Sequence, residues 1–197
     1  KDIKLNLREI NRENLGISGL DSINGKIIGI DINVQGQRIT NLNRAVKVYL
    51  PLPEDEDLEY QTVFLIREDG IQEILGGMYT GDGKIGFRTN ILNIFYVKPS
   101  VKDFSDIEDL DWAKEEIRIM AGKGYINGRG DGIFDPHNLI TRAEFVSIIT
   151  RILKYEAKGD SLPFKDVGED KWYYKSVMAA YEKGIINGKS EETFNPD

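Results

Sequence analysis

The chain has 197 residues, 40% of them hydrophobic and 30% charged, which predicts one or two domains with an apolar core. A net charge of −7 argues against a general nucleic-acid binder, and no stretch of about 18 apolar residues indicates a membrane span. With no cysteine and one histidine, His137, the chain excludes thiol chemistry and multi-histidine zinc sites, so we expect no metal, no cofactor, no nucleic-acid partner and no membrane partner.

Residues 1–100 have the patterns of short antiparallel strands. In Lys26–Val34 every second residue is aliphatic, and this period of two predicts a half-buried strand. Val46–Leu50 alternates in the same way and ends at Pro51. Several such strands separated by turn signals predict a β-sandwich-like domain of unknown role over residues 1–100.

Turn residues divide this region further. The charged segment Glu54–Asp57 predicts a solvated loop. The Asp-Gly pairs at Asp69-Gly70 and Asp82-Gly83 each lie between apolar runs, which is a strong hairpin signal. We therefore expect two hairpins before Pro99.

After Pro99-Ser100 the apolar spacing becomes helical. Ala113, Ile117, Met120 and Ala121 fit one stripe of a helix that ends near Gly122. Thr141 and Glu144 stand three residues apart at the start of the next helix and predict a capping box. The stripe expected to be buried in that helix consists of Phe145, Ile148, Ile149, Ile152 and Leu153.

The second half contains an internal repeat. GYINGRGDGIFDP (Gly124–Pro136) recurs sixty residues later as GIINGKSEETFNP (Gly184–Pro196), and the register needs no gap. One register through aromatic, glycine and proline positions indicates two related units, residues 101–160 and 161–197. The second unit ends where its own TRAE-like helix should begin. We therefore expect the parent protein to continue, and we expect self-association through the truncated repeat.

These motifs resemble the S-layer homology (SLH) domain of bacterial surface proteins. The resemblance covers residues 103–197 and rests on FSDI, the Gly-rich loop, FDP and ITRAEF. It implies helix-loop-helix units in a partial pseudo-threefold bundle, hence an α+β chain of two domains. It also implies an exported protein of Gram-positive or related bacteria, held non-covalently by secondary cell-wall polysaccharide that often carries pyruvate. The implied location is extracellular, at the cell surface, in the cell wall or S-layer.

The resemblance also implies which residues contact the polysaccharide, in grooves between neighbouring repeats. These residues are Trp112, Gly128, Arg142, Trp172 and Gly188. Arg142 would lie at the first position of a helix, where a cation is unfavourable and a bound carboxylate is favourable, so its charge makes better sense with a ligand. Alternatives stay open: the tryptophans as core residues, Arg142 in an internal salt bridge, and the glycines as turn residues. Thr141 and Glu144 are expected to be structural caps.

No catalytic constellation is visible in the chain, so we expect no enzyme activity from these residues. Two alternative roles remain beside anchoring. The β-domain could be a protein- or carbohydrate-interaction module for which the SLH part is only a tether. The chain could also be the anchoring end of a larger wall-active or polysaccharide-degrading enzyme.

Overall fold

The computed structural model describes residues 3–16, 25–52 and 57–197, so most of the predicted loop Glu54–Asp57 lies outside the described residues. The described residues form nine strands and three α-helices. The strands are β1 (Ile3–Glu9), β2 (Ile28–Val34), β3 (Gln37–Ile39), β4 (Asn41–Pro51), β5 (Gln61–Ile66), β6 (Gln72–Gly76), β7 (Met78–Tyr79), β8 (Lys84–Ile91) and β9 (Ile94–Pro99). The helices are α1 (Lys114–Gly122), α2 (Arg142–Leu153) and α3 (Tyr174–Glu182). None of these helices is both long and apolar enough to cross a membrane.

The strands form two antiparallel sheets. The larger has the order β1-β2-β9-β5-β6, with β3 also paired to β2, and the smaller has the order β4-β8-β7. The strand predicted over Lys26–Val34 is present as β2. Both predicted hairpins are confirmed: Ile66 pairs with Gln72 around the first Asp-Gly turn, and β7 pairs with β8 around the second.

Residues from both sheets build the main apolar core of the strand region. In β8, Ile85 and Phe87 are buried while Lys84 and Gly86 are not, which is the alternation of a strand with one covered face. The other buried members are Ile30, Leu50, Val63, Leu65, Leu75, Leu92, Phe95 and Val97. Burial of these side chains is the main stabilising term for the sheets.

The predicted fold class, an α+β chain with a β-sandwich-like domain followed by a helical bundle, is wrong. The described chain is mostly β, and its three helices have only 9, 12 and 9 residues. The sheets do not form a complete sandwich, because β7 has two residues and no second layer of described residues covers β1, where Ile3, Leu5 and Leu7 are each more than half exposed. The helices do not form a separate bundle, because α1 is in the same compact unit as the strands.

The chain divides into two compact units, residues 1–134 and 135–197. The first contains both sheets and α1, and the second contains α2 and α3. The boundaries predicted at residues 100 and 160 concern the repeats and stay predictions, because compactness does not test them.

Two side chains that follow α1 attach it to the strands. The Lys123 ammonium group donates hydrogen bonds to the backbone oxygens of Gln61 (2.7 Å) and Gly77 (3.0 Å). The Tyr125 hydroxyl accepts a 2.7 Å bond from the Gly77 N–H. Lys123 and Tyr125 are 8% and 7% exposed, so these bonds form away from water and fix the position of α1.

The buried stripe predicted for α2 is wrong by two positions, which corresponds to the opposite face of the helix. The buried residues are Ala143, Val146, Ser147 and Thr150, whereas Phe145 is 55% exposed. Ile148, Ile149, Ile152 and Leu153 are only half-buried. Ser147 and Thr150 tolerate burial because their hydroxyls donate to the backbone oxygens of Ala143 (2.8 Å) and Val146 (3.1 Å).

The two halves of the sequence repeat share their local hydrogen bonds. The Phe134 N–H donates to the Asp106 carboxylate at 2.8 Å, and the Phe194 N–H donates to the Asp166 carboxylate at 2.9 Å. The Gly-rich loops close in the same way, through N–H bonds from Arg129 to Ile133 and from Lys189 to Thr193. The sixty-residue register therefore describes a repeated loop structure as well as a repeated sequence.

Candidate functional site

Arg142 is the first residue of α2, and the helix start beside it is already well supplied with acceptors. The Thr141 hydroxyl accepts a 3.1 Å bond from the Glu144 N–H, and the Glu144 carboxylate accepts a 2.8 Å bond from the Thr141 N–H. The Ala143 N–H donates to the Pro196 carbonyl at 2.9 Å. Few backbone donors remain for a ligand here, so the chemistry of this position depends on the Arg142 side chain.

The Arg142 guanidinium lies against the Gly-rich loop of the second repeat. Its Nη2 donates a 2.5 Å hydrogen bond to the Asn187 carbonyl, and its Cζ lies 4.6 Å from the centre of the Phe194 ring, a cation–π distance. Its Nε is buried without a hydrogen-bond partner in the described part of the chain. Because a guanidinium has five N–H groups, this arrangement leaves donors for a further acceptor.

Asp166 fixes the backbone of Phe194, whose ring lies against the Arg142 guanidinium. Burial disfavours its charge, but N–H groups of Phe194 and Asn195 donate to the carboxylate and hold the pKa of Asp166 below its usual value. The Phe194 ring is fully buried and packs against the Phe164 ring, with the two ring centres 5.8 Å apart. Arg142 is therefore positioned by a rigid base.

Gly128 and Gly188 occupy equivalent, tightly packed positions in the two loops. A Cβ at Gly128 would lie 2.2 Å from the Ile133 carbonyl oxygen and 2.5 Å from the Phe104 ring. A Cβ at Gly188 would lie 2.2 Å from the Ser190 carbonyl oxygen and 2.5 Å from the Phe164 ring. Packing inside the loop accounts for glycine at both positions, in addition to any contact with a ligand.

Neither tryptophan is part of a core. Trp112 is 82% exposed and Trp172 is 63% exposed. The Trp172 indole meets the Tyr173 ring edge to face, with the centres 5.3 Å apart. Both indoles thus present flat apolar surfaces to solvent, which is the geometry that stacking against a sugar ring requires.

Of the five predicted site residues, the structure places Arg142 beside the loop that contains Gly188. Trp172 is in the same compact unit, and no contact between it and Arg142 is among the described interactions. Trp112 and Gly128 belong to the first compact unit. Sequence reasoning missed Asn187 and Phe194 as the residues that orient Arg142.

A second concave feature of this unit was not predicted. It is a cleft of about 480 Å³ between the segment after α2 and the start of α3. Its lining includes Tyr155, Glu156, Asp160, Glu169, Tyr174 and Lys175. Hydrogen bonds from the N–H groups of Lys158 and Gly159 to Glu182 hold one wall in place and lower the pKa of that carboxyl. Carboxylates outnumber cations in the lining, which makes the cleft unsuitable for an acidic ligand.

The part of the chain that the structure describes contains no group of three or more acidic or histidine side chains arranged to hold a metal ion. The candidate site around Arg142 consists of a cation, the Phe194 ring and the loop that contains Asn187 and Gly188.

Comparison with known proteins identifies the second half of the chain. A family model of the S-layer homology domain matches residues 103–146 and 163–197. The chain carries two S-layer homology repeats, of which the second is partial. No solved structure matches the chain.

Three relatives show where such repeats occur. An amylopullulanase of Thermoanaerobacterium thermosulfurigenes is 31% identical over 162 residues, 81% of this chain and 9% of that protein. A surface-layer 125 kDa protein of Lysinibacillus sphaericus is 40% identical over 97 residues, 49% of this chain and 8% of that protein. A cellulosome-anchoring protein of Acetivibrio thermocellus is 33% identical over 104 residues, 50% of this chain and 23% of that protein. The chain thus spans less than a quarter of each relative.

The S-layer homology repeats form a cell-surface anchoring module and are not catalytic. They indicate an extracellular protein attached at the cell surface or cell wall, as the sequence predicted.

Proposed function

We propose that the repeats hold the protein to an acidic secondary cell-wall polysaccharide and that Arg142 binds a carboxylate of this polymer, such as that of a pyruvate ketal. The proposal rests on the contacts of the Arg142 guanidinium group. It is fixed by Asn187 and Phe194, and it makes no ion pair with a described residue. A charged donor that is held in place and lacks an anion is preorganised for a carboxylate ligand.

The other predicted residues have supporting roles in this proposal. Trp112 and Trp172 would stack on sugar rings with their exposed indole faces. Gly128 and Gly188 would keep their loops in the shape that presents the backbone to the ligand, because a side chain at either position would displace the loop. The net charge of −7 repels an acidic polymer, so binding depends on these local contacts.

Binding to purified cell-wall sacculi tests the proposal. The 197-residue chain should sediment with sacculi that retain their secondary polysaccharide and stay in solution with sacculi from which it has been extracted. Arg142→Ala should weaken binding about tenfold or more, because a charge-assisted contact is worth about 1.5–3 kcal/mol. Arg142→Lys should recover only part of the affinity, since an ammonium group lacks the planar fork.

Lys175→Ala is the matched control. It removes one positive charge from the cleft described above. This cleft begins after the last residue of α2, and the helix axis from Arg142 to that end is about 18 Å long. Binding should persist in this variant. Equal binding to extracted sacculi, or full binding by Arg142→Ala, would contradict the proposed role of the repeats.

A second proposal concerns the parent protein. The match to the amylopullulanase covers 81% of the chain and so extends well into the strand region, beyond the repeats. We propose that the chain is the non-catalytic, anchoring part of a polysaccharide-degrading enzyme. The complete reading frame tests this: a glycoside hydrolase domain in the same polypeptide would establish it, and a polypeptide without any catalytic domain would exclude it.

A further inference from the structure

The outer face of the smaller sheet carries an unusual set of exposed side chains. In β4, Val48 and Leu50 turn inward to the core, so Lys47 and Tyr49, the two neighbours of Val48, turn outward. The register pairs Tyr49 with Gly86 of β8, and Met78 of β7 pairs with Gly86 from the other side. Tyr49, Gly86 and Met78 therefore form one row across all three strands.

The glycine in the middle of this row lets the tyrosine ring lie on the sheet. A Cβ at Gly86 would meet Cε1 and Cδ1 of Tyr49 at 3.0 and 3.2 Å, so the ring occupies the space above the glycine. Tyr49 is still 52% exposed, and Met78 is 66% exposed. One face of the ring is supported by the backbone while much of the side chain remains in water, which makes a preformed flat surface.

The next row along the strands is cationic. Lys47 pairs directly with Arg88, and like charges in opposed positions destabilise a sheet. In the described part of the chain neither side chain has an ion-pair partner, and the Arg88 Nε is buried without a hydrogen bond. By contrast, Lys84 in the row on the other side is paired with Asp82 at 2.5 Å. An uncompensated cationic pair beside an exposed ring is unfavourable for folding alone and favourable for binding an anion.

The two rows are separated by two residues, about 6.7 Å along the strands. With this spacing, a sugar ring stacked on Tyr49 would place an acidic substituent next to Lys47 and Arg88. We propose that this surface, the Tyr49 platform (Lys47, Tyr49, Met78, Gly86 and Arg88), binds a carboxylated polysaccharide. The platform is in the strand region and is independent of the Arg142 site.

The charge balance favours a polysaccharide over a nucleic acid. Both ligands present flat rings and anions, but the phosphates of a nucleic acid are densely spaced and require an extended basic surface. The platform offers two cations that have no ion-pair partner among the described residues, on a chain with a net charge of −7. A polymer with one carboxylate per sugar matches this number better.

Affinity electrophoresis of the full 197-residue chain tests the proposal. Polygalacturonate in the gel should retard the protein, whereas pullulan, a neutral glucan, should not. Tyr49→Ala should raise the dissociation constant about tenfold, which corresponds to about 1.4 kcal/mol. Retardation should decrease with added NaCl, because salt screens the attraction between the polymer carboxylates and the exposed Lys47 ammonium group.

A double variant, Lys47→Gln with Arg88→Gln, separates binding from folding. It should abolish retardation and should leave the melting temperature unchanged or higher, because the repulsion between the opposed cations is removed. If Lys47 and Arg88 only stabilised the fold, their replacement would lower the melting temperature. Loss of binding together with a higher melting temperature would therefore indicate a role in binding. Gly86→Ala should also weaken binding, since its Cβ displaces the Tyr49 ring.

Tyr79→Ala is the matched control and should be retarded like the unmodified chain. Tyr79 is 42% exposed in the same sheet but pairs with Ile85 and so turns to the opposite face. Three outcomes would overturn the proposal: normal retardation of Tyr49→Ala and of the double variant, equal retardation by pullulan, or tighter binding of single-stranded DNA than of polygalacturonate.

Discussion

Lys123 shows how one sequence motif has two different environments. The Lys-Gly pair occurs in both repeats, as Lys123-Gly124 and Lys183-Gly184. Lys123 is buried and binds two backbone oxygens, whereas Lys183 is exposed and lies 5.5 Å from the centre of the Tyr155 ring. The repeat alone gave no signal for this difference, because the environment of Lys123 depends on the strand region of its own unit.

The stability of the fold should therefore depend on pH through Lys123. Burial lowers its pKa from 10.5 to about 8. Between these values the folded chain has released a proton that the unfolded chain retains, so raising the pH favours the folded state. The unfolding free energy of the unmodified chain, minus that of Lys123→Met, should increase by about 1 kcal/mol from pH 8 to pH 9 in urea titrations.

Lys183→Met is the control for this measurement, and it removes the exposed lysine of the other repeat. Its difference from the unmodified chain should stay constant over the same pH range. A constant difference for Lys123→Met as well would show that Lys123 does not lose its proton in this window, and the proposed effect of burial would be refuted.

At the scale of elements, α2 begins with a capping box, whereas α1 and α3 begin without a side-chain cap in the described part of the chain. Thr141 and Glu144 exchange two hydrogen bonds there. Thr141→Ala removes one of them and leaves the Glu144 N–H without its acceptor, so it should lower the unfolding free energy by about 1 kcal/mol. Urea unfolding followed by circular dichroism measures this change.

Thr141→Ser tests whether the hydroxyl group or the methyl group of Thr141 stabilises the start of α2. Serine keeps the hydroxyl acceptor, and its stability should stay within a few tenths of a kcal/mol of the unmodified chain. If the serine and alanine variants lose the same stability, the methyl group and not the hydrogen bond is the important part of Thr141.

The sequence predicted individual elements better than their assembly. The strand at β2 and both hairpins follow from alternation and Asp-Gly turns, which are local signals. The division into two sheets does not, because β8 and β9 are separated by only two residues and join different sheets. That choice depends on the pairing of β9 with β5 and β2, which are distant in sequence.

The candidate site was predicted to a similar extent. The repeat and the TRAE motif singled out Arg142, and exposure of Trp112 and Trp172 excludes the alternative that they are core residues. The contacts that orient Arg142 could not be predicted, because Asn187 and Phe194 meet it only through the packing of the second repeat against α2.

At the scale of the whole molecule, exposed apolar side chains near α2 favour self-association. Leu139, Ile140 and Phe145 are 91%, 56% and 55% exposed. An apolar surface of this kind is typical of an interaction site. We expect sedimentation equilibrium to show reversible dimerisation as the concentration rises, and Phe145→Glu to weaken it. A monomer at every concentration tested would contradict this expectation.

The fold class was wrong at this same scale, for a physical reason. The helical spacing after Ser100 was correct for α1, but helices of 9 to 12 residues are too short to be stable alone and need a partner surface. For α1 that surface is supplied by apolar residues of its own repeat, such as Phe104 and Ile107, and the bonds of Lys123 and Tyr125 after the helix join this cluster to the strands. A helical pattern in the sequence does not specify the element against which the helix packs.

The tie between α1 and the strands also determines how mechanical load would pass through the first unit. A surface anchor is under tension whenever the wall and the attached protein move apart. The chain leaves β9 at Pro99, beside Gln61 of β5, and Lys123 returns to bond the carbonyl of that same Gln61. Tension along residues 100–122 is therefore shared by side-chain bonds parallel to the backbone, and this segment can extend only after the buried Lys123 and Tyr125 contacts have broken.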